Sequence, residues 1–366
     1  MRAAVLHQVK QPLVVEDVDI ADPGENEVLV RIAASGVCHS DLHRIHGDFP
    51  SPLPMVMGHE GAGVVEALGP GVAGLEVGDH VVLSIGPYCG HCEVCARGKT
   101  SLCEVSAQAR PLGTLLDGSV RLSKDGEPRS HHSFVSSFAE YAVAPASGAV
   151  PIRKDAPLDM AALVGCGVTT GVAAVINDAQ VRTGERVAVF GCGGVGLNVV
   201  QAAVLAGAEQ IVAVDLLDTK LELAGEFGAT HLVNASSGDP VEQIRELTRG
   251  GVDHAFEVIG SPEVVLQAMR SVAPGGHTYV IGVLPIDTEL RLPWYEVMGR
   301  RQHLQMAGFE GAQPRADIPR VINLYMAGKL KLDELVSRTF ALDEVNEAIG
   351  ALERGEVARS LVYPDR

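Results

Sequence analysis

Aromatic residues, net positive charge and long apolar runs are all scarce in this chain of 366 residues. Phe, Trp and Tyr together make up 4% of the chain, with a single Trp, although 46% of the residues are hydrophobic. The core must therefore be built from aliphatic side chains, and the many Val, Ala and Gly residues suit parallel strands buried under helices. The length exceeds that of one ordinary domain, so we expect two domains.

Acidic residues outnumber basic ones. The chain has 29 Lys and Arg and 46 Asp and Glu, which gives a formal charge of −17. This balance argues against nucleic acid or an anionic membrane as a partner. The apolar runs Val187–Phe190 and Ile211–Val214 have the length of strands and are far too short to span a bilayer. Polar His7 and Gln8 follow Met1–Leu6 directly, so no signal-peptide core is recognised and we expect a cytoplasmic protein.

The seven cysteines favour metal binding, because disulfides are not expected in a cytoplasmic chain. Four of them are closely spaced, at Cys89, Cys92, Cys95 and Cys103. Four thiolates close the tetrahedral shell of zinc and leave no open position. The segment 89–103 is therefore predicted to be a lobe that a structural zinc ion holds folded, with His91 as a bystander.

A second group of metal-binding side chains is scattered along the chain. Gly36–His43 contains Cys38, His59 follows shortly downstream, and Cys166 comes much later. Two Cys and one His leave one zinc position open, which is typical of a catalytic site. These three residues are candidate ligands of a catalytic zinc if the fold brings them together.

A strand, a glycine-rich turn, a helix and a second strand follow one another from residue 187 to Asp215. The turn is Gly191-Cys192-Gly193-Gly194-Val195-Gly196, a G-x-G-x-x-G motif that presents backbone N–H groups to a pyrophosphate. Asp215, at the end of the second strand, is expected to bind the ribose hydroxyls and to repel a 2′-phosphate, so NAD is favoured over NADP. Lys220 complicates this preference slightly, and a solvated helix lysine is its simplest interpretation.

The pattern of secondary-structure signals changes near residue 165. Closely spaced short strands with Gly and Pro turns precede it, and strand–helix alternation typical of a doubly wound parallel sheet follows it. We predict a β-rich catalytic domain at 1–165, a dinucleotide-binding domain at 166–305, and a return to the first domain at 306–366. The polar stretch 111–135 is predicted to be a long surface excursion, with His131 and His132 as surface imidazoles.

Jointly, these motifs resemble those of the zinc-dependent medium-chain alcohol dehydrogenases, over essentially the whole chain. The resemblance rests on Gly36–His43, Gly58–Gly61, Cys89–Cys103, Gly165–Gly171 and Gly191–Gly196. It implies an α/β fold with a GroES-like catalytic domain and a Rossmann domain, two zinc ions per chain and NAD. The stretch between Cys103 and Phe138 resembles the longer, typically dimeric members.

The resemblance also implies roles for single residues. Cys38, His59 and Cys166 would hold the catalytic zinc. Asp41 would orient His59, and Glu60 would lie behind the metal. Ser40 and His43 would relay the proton through the cofactor ribose to solvent. The residues expected at the cofactor, besides the glycine turn and Asp215, are His39, Thr170, Val195, Lys220, Val258, Ile281, Val283 and Arg359. The residues expected at the substrate pocket are Phe49, Ile85 and Phe138, with Val283 beside them.

The function implied is reversible oxidation of a primary or secondary alcohol with hydride transfer to NAD, by a homodimer or a homotetramer acting on a small molecule. The main alternative is a dehydrogenase of thiol–formaldehyde adducts or S-nitrosothiols, for which Arg110, Arg121 and Arg129 are candidate cationic anchors. A non-catalytic NAD-binding protein is the distant alternative, because no ligand or relay residue is missing.

Overall fold

Nineteen β-strands form three sheets in the computed structural model, which describes residues 1–366. The strands are Arg2–Leu6 (β1), Val14–Asp17 (β2), Asp19–Ile20 (β3), Glu27–Val37 (β4), Met55–Val56 (β5), Glu60–Leu68 (β6), His80–Leu83 (β7), Leu122–Lys124 (β8), Glu127–His131 (β9), Tyr141–Pro145 (β10), Ala149–Pro151 (β11), Arg186–Phe190 (β12), Gln210–Asp215 (β13), His231–Asn234 (β14), Val252–Glu257 (β15), Val272–Val280 (β16), His303–Met306 (β17), Val336–Ala341 (β18) and Arg359–Tyr363 (β19).

Twelve α-helices accompany the strands. They are His39–His46 (α1), Glu93–Ala96 (α2), Glu104–Ala109 (α3), Leu158–Ala162 (α4), Gly167–Ala173 (α5), Gly194–Ala206 (α6), Asp218–Glu226 (α7), Pro240–Leu247 (α8), Pro262–Ser271 (α9), Trp294–Arg300 (α10), Pro314–Met326 (α11) and Val345–Glu353 (α12). None of these helices alone is long and apolar enough to cross a membrane; one bent pair, Leu158–Gly165 with Gly167–Asp178, passes by length and composition only.

The chain divides into two units. One unit combines Met1–Thr169 with Gln313–Arg366, and the other is Thr170–Ala312. The sequence places the corresponding boundaries after residues 165 and 305. In the structure the C-terminal segment belongs to the first unit because its strand β19 pairs with β4.

The unit Thr170–Ala312 is built on a sheet of six parallel strands in the order β14-β13-β12-β15-β16-β17. Numbered within the unit, this order is 3-2-1-4-5-6, that of a doubly wound dinucleotide-binding sheet. The central strands β12 and β13 are buried aliphatic runs, and Phe190 and Phe256 are fully covered, as the composition predicts. The topology places a ligand crevice at the carboxyl ends of β12 and β15, where the order reverses. The predicted fold class is confirmed.

The other unit contains two sheets, and the long strand β4 lies at the centre of one of them. One edge of β4 pairs with β6 along most of its length. The opposite edge pairs with β10 at residues 27–31 and with β19 at residues 35–37. The end of β4 is thus held on both sides, and Cys38 follows it directly.

The stretch 111–135 is not the surface excursion predicted from its polar composition. It supplies β8 and β9 to the second sheet of this unit, where β9 pairs in parallel with β5. His131 and His132 are only 1% and 2% exposed. Burial lowers the pKa of His131 to about 3 and that of His132 to about 4, so both are neutral imidazoles. The polar composition gave the wrong prediction for two reasons. Neutral histidines tolerate burial, and pairing with neighbouring strands satisfies the backbone N–H and C=O groups of this segment.

Candidate active site and metal centres

The corner between β4 and α1 fixes the position of Cys38. Cys38 is the residue before the helix, with extended backbone angles. Its backbone N–H donates to Oδ2 of Asp41 at 3.0 Å, and the N–H of Asp41 donates to the carbonyl oxygen of Cys38 at 3.0 Å. Leu42 and Ile45 bury one face of α1 in the core. Asp41 is therefore completely buried at the positive end of the helix, where a carboxylate is stabilised.

The fold brings together the three predicted ligands of the catalytic metal. Donor atoms of Cys38, His59, Glu60 and Cys166 all lie within 4.8 Å of one another, and all four residues are buried. Cys38 follows β4, His59 precedes β6, and Cys166 precedes α5. Nε2 of His59 is buried without a hydrogen-bond partner in the protein. Two thiols, one imidazole and an unsatisfied Nε2 fit a zinc ion with an open position.

A single carboxylate orients His59. Oδ1 of Asp41 lies 3.0 Å from Nδ1 of His59. Burial alone would lower the pKa of His59, but the charge and hydrogen bond of Asp41, followed by Cys38, raise it to about 10. Burial alone would likewise raise the pKa of Asp41, but the charge and hydrogen bond of His59, together with the nearby His132, lower it instead. When His59 binds a metal as neutral imidazole, Asp41 keeps the proton on Nδ1 and turns Nε2 toward the ion.

His132 is a neighbour of this pair that the sequence did not identify. Its Nδ1 lies 3.3 Å from Oδ1 of Asp41. Its ring meets that of His59 edge to face, with centroids 4.9 Å apart. His132 therefore contacts both Asp41 and His59, although its Nδ1 forms no hydrogen bond.

Glu60 is a bracing carboxylate beside the thiols. It is completely buried, and its Oε1 accepts the backbone N–H of Gly167 at 3.1 Å. Its Oε2 is paired with the buried guanidinium of Arg359. Gly36 has no room for a side chain, because a Cβ there would come within 2.2 Å of Oε2 of Glu60. Both oxygens of Glu60 are engaged by the protein, and a role of Arg359 at the cofactor pyrophosphate stays a prediction.

The predicted relay residues lie on α1. Oγ of Ser40 is 3.9 Å from Sγ of Cys38. Nδ1 of His43 is 2.8 Å from Oδ2 of Asp48, and its ring packs edge to face on Phe49 at 5.6 Å. The His43 side chain is 28% exposed, so it can exchange protons with solvent. His39 is exposed at the start of the helix.

The other predicted pocket residues have different surroundings. Ile85 is partly buried, and its carbonyl oxygen accepts Nη2 of Arg110 at 2.7 Å. Phe138 is completely buried in a core cluster with Leu6 and Met55. It packs so tightly that a Cβ on Gly58 would meet its backbone nitrogen at 2.4 Å. Phe138 is thus a packing residue in this structure, and a place for it in the pocket stays a prediction.

The four closely spaced cysteines converge as predicted. Donor atoms of Cys89, Cys92, Cys95 and Cys103 lie within 4.8 Å of one another, and none forms a disulfide. Backbone N–H groups of Cys89 and Cys92 donate to the sulfurs of Cys103 and Cys89, each at 3.3 Å. Such bonds stabilise thiolates, and four thiolates without a competing donor fit a structural zinc ion.

The glycine turn after β12 is shaped to leave space for a ligand. Gly191 has a φ of +101° and packs against Ile259, and a Cβ on Gly196 would lie 1.8 Å from the carbonyl oxygen of Gly191. A Cβ on Gly193, in contrast, would meet no atom within 4 Å. Since α6 begins at Gly194, the open side of the turn faces a helix N-terminus, which suits a pyrophosphate.

Asp215 ends β13 beside this turn, at the position the sequence predicts. Its Oδ2 accepts the backbone N–H of Cys192 at 2.8 Å. Its Oδ1 accepts the backbone N–H of Leu216 at 2.8 Å. The carboxylate therefore ties the two loops together, and Lys220 follows on α7.

The remaining cofactor candidates surround the carboxyl ends of β15 and β16. Val258 and Ile281 are partly buried there, and Val283 is 44% exposed. Thr170 approaches Gly308 of the same unit, where a Cβ would lie 3.2 Å from its Cγ2. Sequence reasoning missed Glu257, a fully buried carboxylate whose Oε1 accepts the N–H groups of Ile259, Gly260 and Ser261. The available signal was an acidic residue that directly follows the apolar pair Ala255-Phe256 at the end of a strand.

Two family models match the chain: an alcohol dehydrogenase GroES-like domain at residues 24–154 and a zinc-binding dehydrogenase at residues 194–327. The S-(hydroxymethyl)glutathione dehydrogenase of Paracoccus denitrificans is 40% identical over 372 residues, 99% of each chain. A benzyl alcohol dehydrogenase from Acinetobacter calcoaceticus has a similar structure, with a TM-score of 0.94, 35% identity and coverage of 99% of this chain and 98% of that one. An alcohol dehydrogenase zinc-binding domain protein from Burkholderia ambifaria reaches a TM-score of 0.95 at 39% identity, covering 99% and 98%.

Proposed function

Since the chain belongs to the zinc-dependent medium-chain alcohol dehydrogenase family, we propose that it oxidises a small alcohol to an aldehyde or ketone, reversibly, with NAD as the hydride acceptor. Alcohol dehydrogenase activity is the activity that the family as a whole supports for this chain. The observation that carries the assignment is the cluster of Cys38, His59 and Cys166, with its unsatisfied Nε2 of His59.

Zinc bound at this cluster would supply Lewis-acid polarisation of the substrate oxygen, and NAD would supply the hydride acceptor. Cys38 and Cys166, as thiolates, temper the charge of the cluster. The pKa of Cys38 lies well below its ordinary value, first because of Cys166 and then because of His59 and Arg359, against the effect of burial. Asp41 and the Glu60–Arg359 pair hold the donors in position, so their geometry is fixed before substrate arrives.

The proton released by the alcohol needs a path to water. Ser40, beside Cys38, is the proposed first acceptor on the protein. His43, one helical turn later, is partly exposed and is oriented by Asp48. Its imidazole is suited to accept the proton and to release it to solvent.

Preference for NAD over NADP is proposed from Asp215. Its carboxylate lies at the end of β13 and faces the glycine turn. A 2′-phosphate placed beside this carboxylate would be repelled, whereas ribose hydroxyls can donate to it.

A panel of primary, secondary, aliphatic and aromatic alcohols, followed by NADH absorbance and by zinc analysis of the same sample, tests the proposal. We expect turnover that requires zinc and two zinc ions per chain. A fully zinc-loaded enzyme that oxidises no alcohol and reduces no aldehyde with either nicotinamide cofactor would overturn it.

Oxidation of a thiol–formaldehyde adduct is the second candidate, because several relatives are named S-(hydroxymethyl)glutathione dehydrogenase. Two of the predicted cationic anchors form ion pairs within the protein. Arg121 pairs with Glu27 and Asp117, and Arg129 pairs with Glu16. Arg110 donates to the carbonyl of Ile85. Formaldehyde oxidation measured with and without glutathione separates the two candidates, because only the adduct reaction depends on the thiol.

A homodimer is the proposed assembly, with a tetramer as the alternative. Trp294, Tyr295 and Met298 on α10, and Met306 on the edge strand β17, are all more than half exposed. Apolar side chains beside an unpaired strand edge favour association. Light scattering after gel filtration gives the mass, and Tyr295→Glu is expected to shift it toward the monomer.

The seven free thiols are consistent with a cytoplasmic location.

A further inference from the structure

Arg44 on α1 uses only one edge of its guanidinium within the protein. Its Nη1 donates to the carbonyl oxygen of Pro50 at 3.0 Å and to Oγ of Ser51 at 2.8 Å. Nε and Nη2 form no hydrogen bond, and no carboxylate is paired with Arg44. The Nε–Nη2 edge is the edge that binds a carboxylate through two parallel hydrogen bonds.

The charge of Arg44 is incompletely compensated. The side chain is partly buried, and burial, followed by the positive charge of Arg110, lowers the pKa of Arg44. Removing a cation from water next to a second cation costs free energy unless an anion compensates for it. An anion that binds between solvent and the Nε–Nη2 edge would provide that compensation.

Arg44 also lies close to the proposed catalytic residues. Its guanidinium carbon is 5.6 Å from the centre of the Phe49 ring, which also contacts His43. Its charge acts on His132, whose ring contacts that of His59. Cys38 precedes α1 and Arg44 is its sixth residue, so the two are separated by roughly 9 Å along the helix axis. Arg44 and the first proposed metal ligand are therefore carried by one short helix and its preceding residue.

We propose that Arg44 binds a carboxylate of the substrate, so that the preferred substrate is an alcohol that carries a carboxylate away from its reacting carbon. The aromatic face of Phe49 would pack against the part between the two groups. The inference rests on the proposed alcohol oxidation and specifies its substrate class. The carboxylate could belong to a free hydroxy acid or to the peptide portion of a thiol adduct, and both present the same group to Arg44.

The test compares the zinc-loaded wild type with Arg44→Gln and Arg44→Lys on 4-(hydroxymethyl)benzoate and on benzyl alcohol, its neutral counterpart. We expect Arg44→Gln to lower the ratio of the two kcat/KM values about 10- to 100-fold, the loss typical of a hydrogen-bonded ion pair. Arg44→Lys should restore part of this ratio, because lysine keeps the positive charge but lacks the two parallel N–H donors of the guanidinium. Arg153→Gln is the matched control, because Arg153 is an exposed arginine paired with Asp155, and it should leave the ratio unchanged.

Formaldehyde with glutathione forms the third substrate. A larger effect of Arg44→Gln on this adduct than on 4-(hydroxymethyl)benzoate identifies the adduct as the source of the carboxylate, and the reverse identifies a hydroxy acid. An Arg44→Gln variant with native zinc content and an unchanged ratio for both anionic substrates overturns the inference while leaving the proposed oxidation intact.

Calorimetric titration with benzoate gives a readout that needs no turnover. Wild type is expected to bind benzoate at least about tenfold more tightly than Arg44→Gln. Equal affinities would contradict the inference, even in an enzyme that failed to oxidise any alcohol.

Discussion

Oδ1 of Asp41 lies 3.0 Å from Nδ1 of His59, in a site where both side chains are at most 2% exposed. The other oxygen of the same carboxylate accepts the backbone N–H of Cys38. One aspartate therefore orients two of the three proposed ligands, the first through its imidazole and the second through its main chain.

Replacing Asp41 by Asn should weaken the catalytic metal site without removing any donor. The amide keeps the size of the side chain and loses the charge that fixes the His59 proton, so metal affinity should fall about 10- to 100-fold. Competition with a chromogenic chelator measures this as early release of one zinc ion per chain. The metal of the four-cysteine lobe is the internal control, and simultaneous release of both ions would contradict the prediction.

The two metal sites should be separable by mutation. Cys38→Ala is expected to reduce zinc from two ions to one and to lower kcat by about a thousandfold or more, since several kcal/mol of charge stabilisation are lost. Cys103→Ser should also leave one ion, but its main effect should be a free energy of unfolding lower by about 4 kcal/mol or more. Metal analysis, turnover and urea unfolding of both variants check this. Equal stability losses would refute the division into catalytic and structural ions.

Asp215→Gly should relax the choice of cofactor. Without the carboxylate, a 2′-phosphate is no longer repelled, so the ratio of kcat/KM for NAD over NADP should fall about 10-fold or more. The N–H of Cys192 also loses its acceptor, so Asp215→Asn serves as the control that retains a side-chain oxygen. Cofactor titrations that give an unchanged ratio in both variants would count against Asp215.

The buried imidazole of His131 should make the fold sensitive to mild acid. Its pKa is about 3 in the folded chain, because of burial and then Arg121, and about 6.5 in an unfolded one. The unfolded state therefore takes up a proton that the folded state does not, between pH 6.5 and 3. Stability should fall as the pH drops through this window, by about 2 kcal/mol between pH 7 and 5.

His131→Gln should remove that part of the pH dependence, because Gln can accept the backbone N–H of Arg121 without taking up a proton. Urea unfolding at pH 7 and pH 5 gives the difference for wild type and variant. His7→Gln, at an exposed position, is the control. The same difference in wild type and His131→Gln would show that His131 is not responsible.

Local spacing accounts for the parts of the site that sequence could predict. The cysteines of the lobe and the turn from Gly191 to Gly196 are defined by neighbours along the chain, so their geometry follows from the motif. Their chemistry made Cys38, His59 and Cys166 candidate ligands of one zinc ion, but only the resemblance implied that they meet, because their spacing does not bring them together. Arg44, His132 and Glu257 carried no motif: their importance comes from burial and from contacts across strands and loops, which one-dimensional patterns do not contain.

The separation of the metal donors along the chain also bears on how the protein matures. The lobe donors Cys89–Cys103 are neighbours in sequence, so a nascent chain can close this site with a short loop soon after it leaves the ribosome. The other site needs Cys166, and its brace joins Glu60 to Arg359, 299 residues further on. Strand β4 cannot receive β19 before residues 359–363 have been synthesised. Metal loading should therefore occur in sequence, with the structural ion acquired first and the catalytic ion secured only after β19 has been synthesised.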